Sequence, residues 1–180
     1  MKLSIIIPTL GRTIEFEALL NSILNSSFKD LEIVVVDQNF SDILNAIILK
    51  YNENLVIRHF LVDFRGLSKA KNFGIKKASG DIICFIDDDA EFFPETIHMA
   101  IKRLNDTDAD IVCGRCVDRN NQSSVKIFDL TSSWLTLNSF EDKFIESTMF
   151  FRLTCFDNFS YDDNLGIGTF HGAEEGYDLV

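Results

Sequence analysis

Three short apolar runs, each ending on a polar residue, constrain the fold of this chain more than any other feature. They are Leu3 to Ile7 before Pro8-Thr9, Glu32 to Val36 before Asp37, and Ile82 to Ile86 before Asp87-Asp88-Asp89. Runs this short, largely β-branched and mostly without polar alternation, suit strands covered on both faces. Helical spacings recur between them. Phe16, Leu19, Leu20, Ile23 and Leu24 follow Thr13 as a cap, and Ile43, Leu44, Ile47, Ile48 and Tyr51 follow Ser41 as a second cap. Leu67 to Ala78 reads as a basic helix closed by Gly80, and Pro94 suits the first position of a helix reaching about Leu104. Further strands are expected at Leu55 to Leu61 and Ile111 to Gly114, followed by a less regular excursion from about Arg119 to Glu146. Strands interleaved with helices require right-handed crossovers, so the expected class is α/β, a mostly parallel sheet flanked by helices.

In such sheets ligands bind beyond the C-terminal ends of the strands. Pro8, Thr9, Asp37 and the Asp triplet should therefore line one edge. Three adjacent carboxylates repel one another unless a proton or a cation relieves them. Carboxylate oxygens are hard ligands, which points to Mg²⁺ or Mn²⁺ with substrate phosphates completing the shell. The charge balance agrees. With 28 acidic and 17 basic residues the net charge is -11, which argues against nucleic-acid or anionic-membrane surfaces. An acidic protein holds an anionic substrate only if a cation inverts the local sign. On an extended segment Asp87 and Asp89 face one way and Asp88 the other.

Length and composition suit a single domain over residues 1–180. No run approaches the ~20 apolar residues of a membrane span, and Pro8 ends the first apolar run before the length of a signal core. A cytoplasmic location is the expectation. Cys113 and Cys116 form a C-x-x-C with no second pair and no nearby His, so they read as thiols at a strand end.

The ordered set of Ser4-Ile5-Ile6-Ile7-Pro8-Thr9, Ile33-Val34-Val35-Val36-Asp37, Arg65-Gly66-Leu67-Ser68-Lys69-Ala70-Lys71-Asn72-Phe73-Gly74, Ala78-Ser79-Gly80-Asp81 and Ile86-Asp87-Asp88-Asp89 resembles family two of the glycosyltransferases. The resemblance covers essentially the whole chain and implies the GT-A fold, with residues 1–115 binding a nucleotide sugar and 116–180 forming part of the acceptor side. It implies that Pro8 and Thr9 lie at the nucleotide and that Asp37 accepts a hydrogen bond from the base, usually uracil. Gly66, Lys71, Asp87 and Asp88 would complete the donor site, and Asp89 with Asp87 would hold Mn²⁺ or Mg²⁺. The family usually has Arg where this chain has Lys71, which keeps the charge and loses the bidentate fork. Asn72 and Gly74 read as packing and backbone positions.

Gly172-Ala173-Glu174-Glu175-Gly176-Tyr177-Asp178-Leu179 resembles the family's acidic segment, whose second acid is the general base. Matching the acid pair makes Glu175 the base, with Glu174 and Asp178 behind it; matching backwards from Asp178-Leu179 puts Gly176 there. His171 and the aromatic residues Trp134, Phe150, Phe151, Phe156 and Phe159 rank lower as functional groups. The resemblance thus implies an inverting transfer from a nucleotide sugar, usually a UDP-sugar, to a glycan or lipid-linked acceptor hydroxyl. Relatives typically continue beyond such a segment, so a further acceptor or membrane-associating region at the inner face of the membrane is expected. The alternatives are a nucleotide-sugar-binding module without turnover, a sugar-phosphate nucleotidyltransferase, for which Pro8 to Arg12 has too few glycines, and a receiver-like Mg²⁺ domain, which needs acids after the first strand.

Overall fold

The structure is a computed structural model that describes residues 1–123, 126, 128–129, 131–136, 145–157, 159–169 and 172. Its described elements are β1 (Leu3–Thr9), α1 (Ile14–Leu24), β2 (Leu31–Asp37), α2 (Asn45–Tyr51), β3 (Ile57–Leu61), α3 (Leu67–Lys77), β4 (Ile82–Phe85), α4 (Thr96–Asp106), β5 (Ile111–Cys113) and β6 (Met149–Arg152). They form one six-stranded mixed sheet in the order β3-β2-β1-β4-β6-β5. β3, β2, β1 and β4 are parallel, while β6 runs antiparallel to both β4 and β5.

The apolar runs do bury both faces. Ile5, Ile7, Ile33, Val35 and Cys84 pack with α1 (Phe16, Leu19, Leu20, Ile23), α2 (Ile48, Tyr51) and α4 (Ile97, Ile101, Leu104). The alternate residues Ile6, Val34, Val36, Ile83 and Phe85 pack with Ala70 of α3 and with Phe151 and Phe156. Period-two alternation thus divides each strand between two cores, and each such side chain contributes about 1.5–3 kcal/mol on burial. The chain passes from β1 through α1 to β2 and through α2 to β3. It then crosses by α3 to β4 on the far side of β1, so the strand order reverses between β1 and β4. That reversal opens a crevice at the C-terminal strand ends.

Several local expectations are corrected. Thr13 occupies the cap position of α1, but its hydroxyl accepts no capping hydrogen bond from the first turn. Helix α2 begins at Asn45 with Leu44 in the cap position, so Ser41 caps nothing and Ile43 is exposed. Helix α3 ends where Ala78 turns extended, before Gly80, and α4 starts two residues after Pro94. Strand β6 was missed, because Phe150 and Phe151 read as an aromatic cluster; both are only 1% exposed and belong to the sheet.

Gly74 lets α3 lie close on β1, since a Cβ there would stand 2.3 Å from Cγ2 of the fully buried Ile6. Gly74→Ala should lower stability by about 2 kcal/mol through overpacking. A urea midpoint equal to that of the wild type would contradict this packing.

Candidate functional site

Thr9 and Asp37 are register partners at the ends of β1 and β2, and the Asp triplet follows β4, the other neighbour of β1. All five residues therefore stand at one end of three adjacent parallel strands. Asp37 is completely buried. Its Oδ1 accepts hydrogen bonds from Asn39 N (2.9 Å) and Asn39 Nδ2 (2.7 Å), and its Oδ2 lies 2.8 Å from His59 Nε2 on β3. Asn39 Oδ1 in turn accepts the Gly11 N–H at 2.8 Å. Asp37 thereby ties the turn after β2 to the turn after β1. Beside it, Gln38 donates its backbone N–H to Thr9 O at 3.0 Å. The side-chain atoms Thr9 Oγ1 and Gln38 Oε1 are buried with no hydrogen-bond partner among the described residues.

The Asp triplet departs from extended geometry. Strand β4 ends at Phe85, and a turn closed by Ala90 N donating to Asp87 O (3.1 Å) follows. Exposure alternates along it: Asp87 and Asp89 are open to solvent and Asp88 is buried. Arg12 joins two of the three, its Nη1 lying 2.6 Å from Asp88 Oδ1 and its Nη2 2.9 Å from Asp89 Oδ2. Asp88 and Asp89 hold the guanidinium pKa above its usual range, the Asp88 hydrogen bond most of all. Although part of its surface is open, Asp87 is pushed up by desolvation, with Asp89 and Asp88 adding to this, while Lys71 and a hydrogen bond from Ser147 pull it down. Sequence reasoning passed over Arg12. Its signal was a cation directly after the turn that follows β1.

Lys71 projects from α3 and is only 3% exposed. It pairs with Glu146, which also accepts the Tyr161 hydroxyl, and its ammonium lies 5.2 Å from the Tyr161 ring centre and 5.9 Å from that of Phe85. Glu146 closes the stretch read as an excursion, and nothing local in the sequence marks it as the partner of a residue 75 positions away. Gly66 stands in the cap position before α3 with φ +124°, which favours glycine. Around it Leu67 N donates to Ile167 O (3.0 Å) and Ser68 Oγ to Leu165 O (2.8 Å). Asn72 exchanges two hydrogen bonds of 2.9 Å with the Tyr161 backbone. Residues 161–169 are thereby docked on α3, and Asn72 is an anchor. Lys69 lies on the outer side of α3, 4.9 Å from the Phe64 ring centre. The hollow there, about 310 Å³ and lined by Phe64, Lys69, Asn72, Phe73, Lys76 and Tyr161 among others, includes none of the triplet.

Glu174, Glu175, Asp178 and His171 lie outside the described residues. Trp134 is exposed and Phe156 is core. Cys113 and Cys116 are free, and burial pushes the Cys113 thiol to about 11, which disfavours the reactive thiolate. Among the described residues no group of three or more His, Cys, Asp or Glu side chains is placed to hold a metal ion. The open carboxylates of Asp87 and Asp89 fit a different arrangement, in which a hard divalent cation takes one or two carboxylates and completes its shell with substrate phosphates. No described helix is long and apolar enough to cross a membrane.

Comparison with known proteins adds the following. The family model described as glycosyl transferase family 2 matches residues 4–164. A Campylobacter jejuni protein named GalNAc(5)-diNAcBac-PP-undecaprenol beta-1,3-glucosyltransferase is 34% identical over 119 residues, covering 64% of this chain and 38% of its own length. A crystal structure of S. aureus TarS superposes with a TM-score of 0.84 at 24% identity, over 99% of this chain and 53% of that one; TarS has also been solved with UDP-GlcNAc. The mannosyltransferase PcManGT from Pyrobaculum calidifontis, in complex with GDP-Man and Mn²⁺, superposes with a TM-score of 0.69 at 21% identity over 92% of this chain and 48% of that one. The chain spans about half the length of these proteins or less.

Proposed function

The chain belongs to glycosyl transferase family 2, and from that membership we propose that it moves a sugar from a UDP-sugar to an acceptor hydroxyl, with inversion and with a divalent metal, in the synthesis of a cell-surface polysaccharide or glycan. The observation that carries this reading is the acidic turn Asp87–Asp89 at the point where the strand order reverses between β1 and β4, the position at which such sheets take their ligands. The S. aureus neighbour is known in complex with UDP-GlcNAc, and the Campylobacter relative is named for a lipid-linked acceptor; both lend support to donor and acceptor class.

In this reading Asp89, with Asp87, holds Mn²⁺ or Mg²⁺, whose chemistry when bound is Lewis-acid stabilisation of the departing diphosphate. The chain's own residues do the rest. Pro8, Thr9 and the turn after β2 form the floor for the nucleoside. Gly66 lets the start of α3 approach the donor, and Lys71 and Arg12 set a positive field beside the carboxylates. Residues 1–115 make the donor half, and residues 116–180 contribute to the acceptor side. Glu175, with Glu174 and Asp178 behind it, takes the acceptor's proton. By the same reading the protein works in the cytoplasm, at the inner face of the membrane when its acceptor is lipid-linked.

Calorimetric titration with UDP tests the reading. Binding should require Mn²⁺, falling at least about tenfold when the metal is chelated, as expected where phosphates complete a metal shell. Transfer or hydrolysis from a panel of UDP-sugars that includes UDP-GlcNAc should then be lost in Glu175→Gln, with UDP binding kept. Binding without turnover in the wild type would leave a nucleotide-sugar-binding module. Formation of a nucleotide sugar from a sugar phosphate and a nucleoside triphosphate would replace the reading with a nucleotidyltransferase.

A further inference from the structure

We propose that Ser147 is a positioning residue of the cation site, aiming the Asp87 carboxylate at the metal, and that Glu146 anchors it there by binding Lys71. The inference rests on the reading of Asp87 as a metal ligand and carries it one layer outward.

The sheet itself brings these residues together. Strand β6 pairs antiparallel with β4, Ile82 against Arg152, Ile83 against Phe151 and Cys84 against Phe150. Continued three residues past Cys84, the same register sets Asp87 opposite Ser147. Strand β4 has ended by then at Phe85, and β6 begins only at Met149. A side-chain bond takes over from the ladder: the Ser147 hydroxyl donates to the Asp87 carboxylate. A carboxylate has two oxygens, so one donor fixes its direction and leaves acceptor capacity for a cation.

Ser147 is itself firmly placed. It is the middle residue of the short 3₁₀ turn Glu146–Thr148. On one side of it, Thr148 N and Thr148 Oγ1 donate to Ile145 O at 2.9 and 2.7 Å, and Thr148 O accepts the Gly114 N–H at 2.9 Å. That ties the turn to the chain just past β5. On the other side, Glu146 accepts the Lys71 ammonium and the Tyr161 hydroxyl. The Lys71 and Glu146 side chains keep only 4% and 11% of their surface. A buried ammonium that loses its carboxylate is strongly penalised, which locks the pair together. The turn is thus pinned to α3, to the segment at Tyr161 and to the chain after β5, and its hydroxyl bears on Asp87. Groups that hydrogen-bond a ligating carboxylate orient it and set the affinity of the metal it holds.

The test is a double-mutant cycle in the full chain, read by Mn²⁺ spin resonance in the presence of UDP and by urea unfolding. Ser147→Ala should weaken Mn²⁺ binding about tenfold, the lower end of what loss of an outer partner costs. Ser147→Thr keeps the hydroxyl and should bind Mn²⁺ as the wild type does. In an Asp87→Ala background, titrated to higher Mn²⁺, Ser147→Ala should cost nothing further, because the residue acts through that carboxylate. Glu146→Gln should also weaken Mn²⁺ binding, and combining it with Ser147→Ala should lose less than the two separate losses together. A Ser147 that only supports the fold would lower the urea midpoint and cost the same affinity in both backgrounds. That result, or an unchanged Mn²⁺ affinity in Ser147→Ala, overturns the proposal and leaves the donor reading intact. If Glu146→Gln does not fold, the Ser147 cycle decides alone. Wild type that takes up neither Mn²⁺ nor UDP overturns both readings.

Discussion

Asp89→Ala should abolish metal-supported UDP binding, with a loss of at least about a hundredfold, because a direct ligand matters at least as much as the surrounding groups whose removal already costs 10–100-fold. The size of the effect follows from how the triplet is arranged. Asp88 is buried on Arg12, whereas the Asp89 side chain keeps 45% of its surface. Asp88 being buried, the exposed Asp89 is free to present an oxygen to a cation that must also meet a diphosphate. Arg12 supplies the counter-test. It lies against Asp88 and Asp89 as an internal cation, so Arg12→Met should raise affinity for Mn²⁺ alone by about fivefold, the worth of a half-exposed ion pair near 1 kcal/mol. Titration of Mn²⁺ followed by spin resonance reads both variants. Undiminished metal-dependent UDP binding in Asp89→Ala would remove the residue from the metal site.

Much of this was legible because the parallel strands are loud. Leu3 to Ile7, Glu32 to Val36 and Ile82 to Ile86 carry apolar side chains toward two cores at once, and only a strand buried on both faces needs that pattern. Once those strands were placed, the rule of C-terminal strand ends put Thr9, Asp37 and the triplet on one edge without any three-dimensional information. What escaped depends on partners distant in sequence. Lys71 meets Glu146 across 75 residues, and β6 exists only because Phe150 and Phe151 find Cys84 and Ile83; no local period encodes either pairing. The caps failed for a related reason. Thr13 and Ser41 have the right chemistry, but the helices they precede are held by buried faces and begin where packing allows. Asp37 drew attention as a carboxylate, yet its charge is used inside the protein by Asn39 and His59. Among the described residues it is the quieter Thr9 and Gln38 that each keep a buried side-chain oxygen without a partner.

At the opposite end of the same strands, Glu32→Leu should lower stability by about 3–5 kcal/mol, the cost of removing one member from a buried charged network. Glu32 is 2% exposed. Its Oε1 accepts Ser4 Oγ at 2.7 Å, Ser79 N at 2.6 Å and Ser79 Oγ at 2.9 Å, while its Oε2 faces Lys2 at 3.2 Å and Arg58 at 3.5 Å. Burial alone would raise this carboxyl, but hydrogen bonds from Ser4, Ser79 and Lys2 outweigh it and hold the pKa at about 2, below the ordinary carboxylate value of 4.5. The folded state therefore binds this proton less readily than the unfolded chain. The stabilisation is complete above the ordinary carboxylate range and is lost as pH falls from about 4.5 through about 2. At about 1.4 kcal/mol per pH unit it amounts to about 3 kcal/mol. Urea unfolding of wild type and Glu32→Gln at pH 6, 4 and 2.5 isolates the group, because the other acids are common to both. The gap between them should be widest at pH 6 and shrink toward pH 2.5; a gap constant with pH would refute the linkage. Ser4 and Glu32 pair near the start of β1 and β2, whereas Thr9 and Asp37 pair at their ends. Glu32→Gln should accordingly leave the proposed UDP binding at the other end of the sheet unchanged at neutral pH.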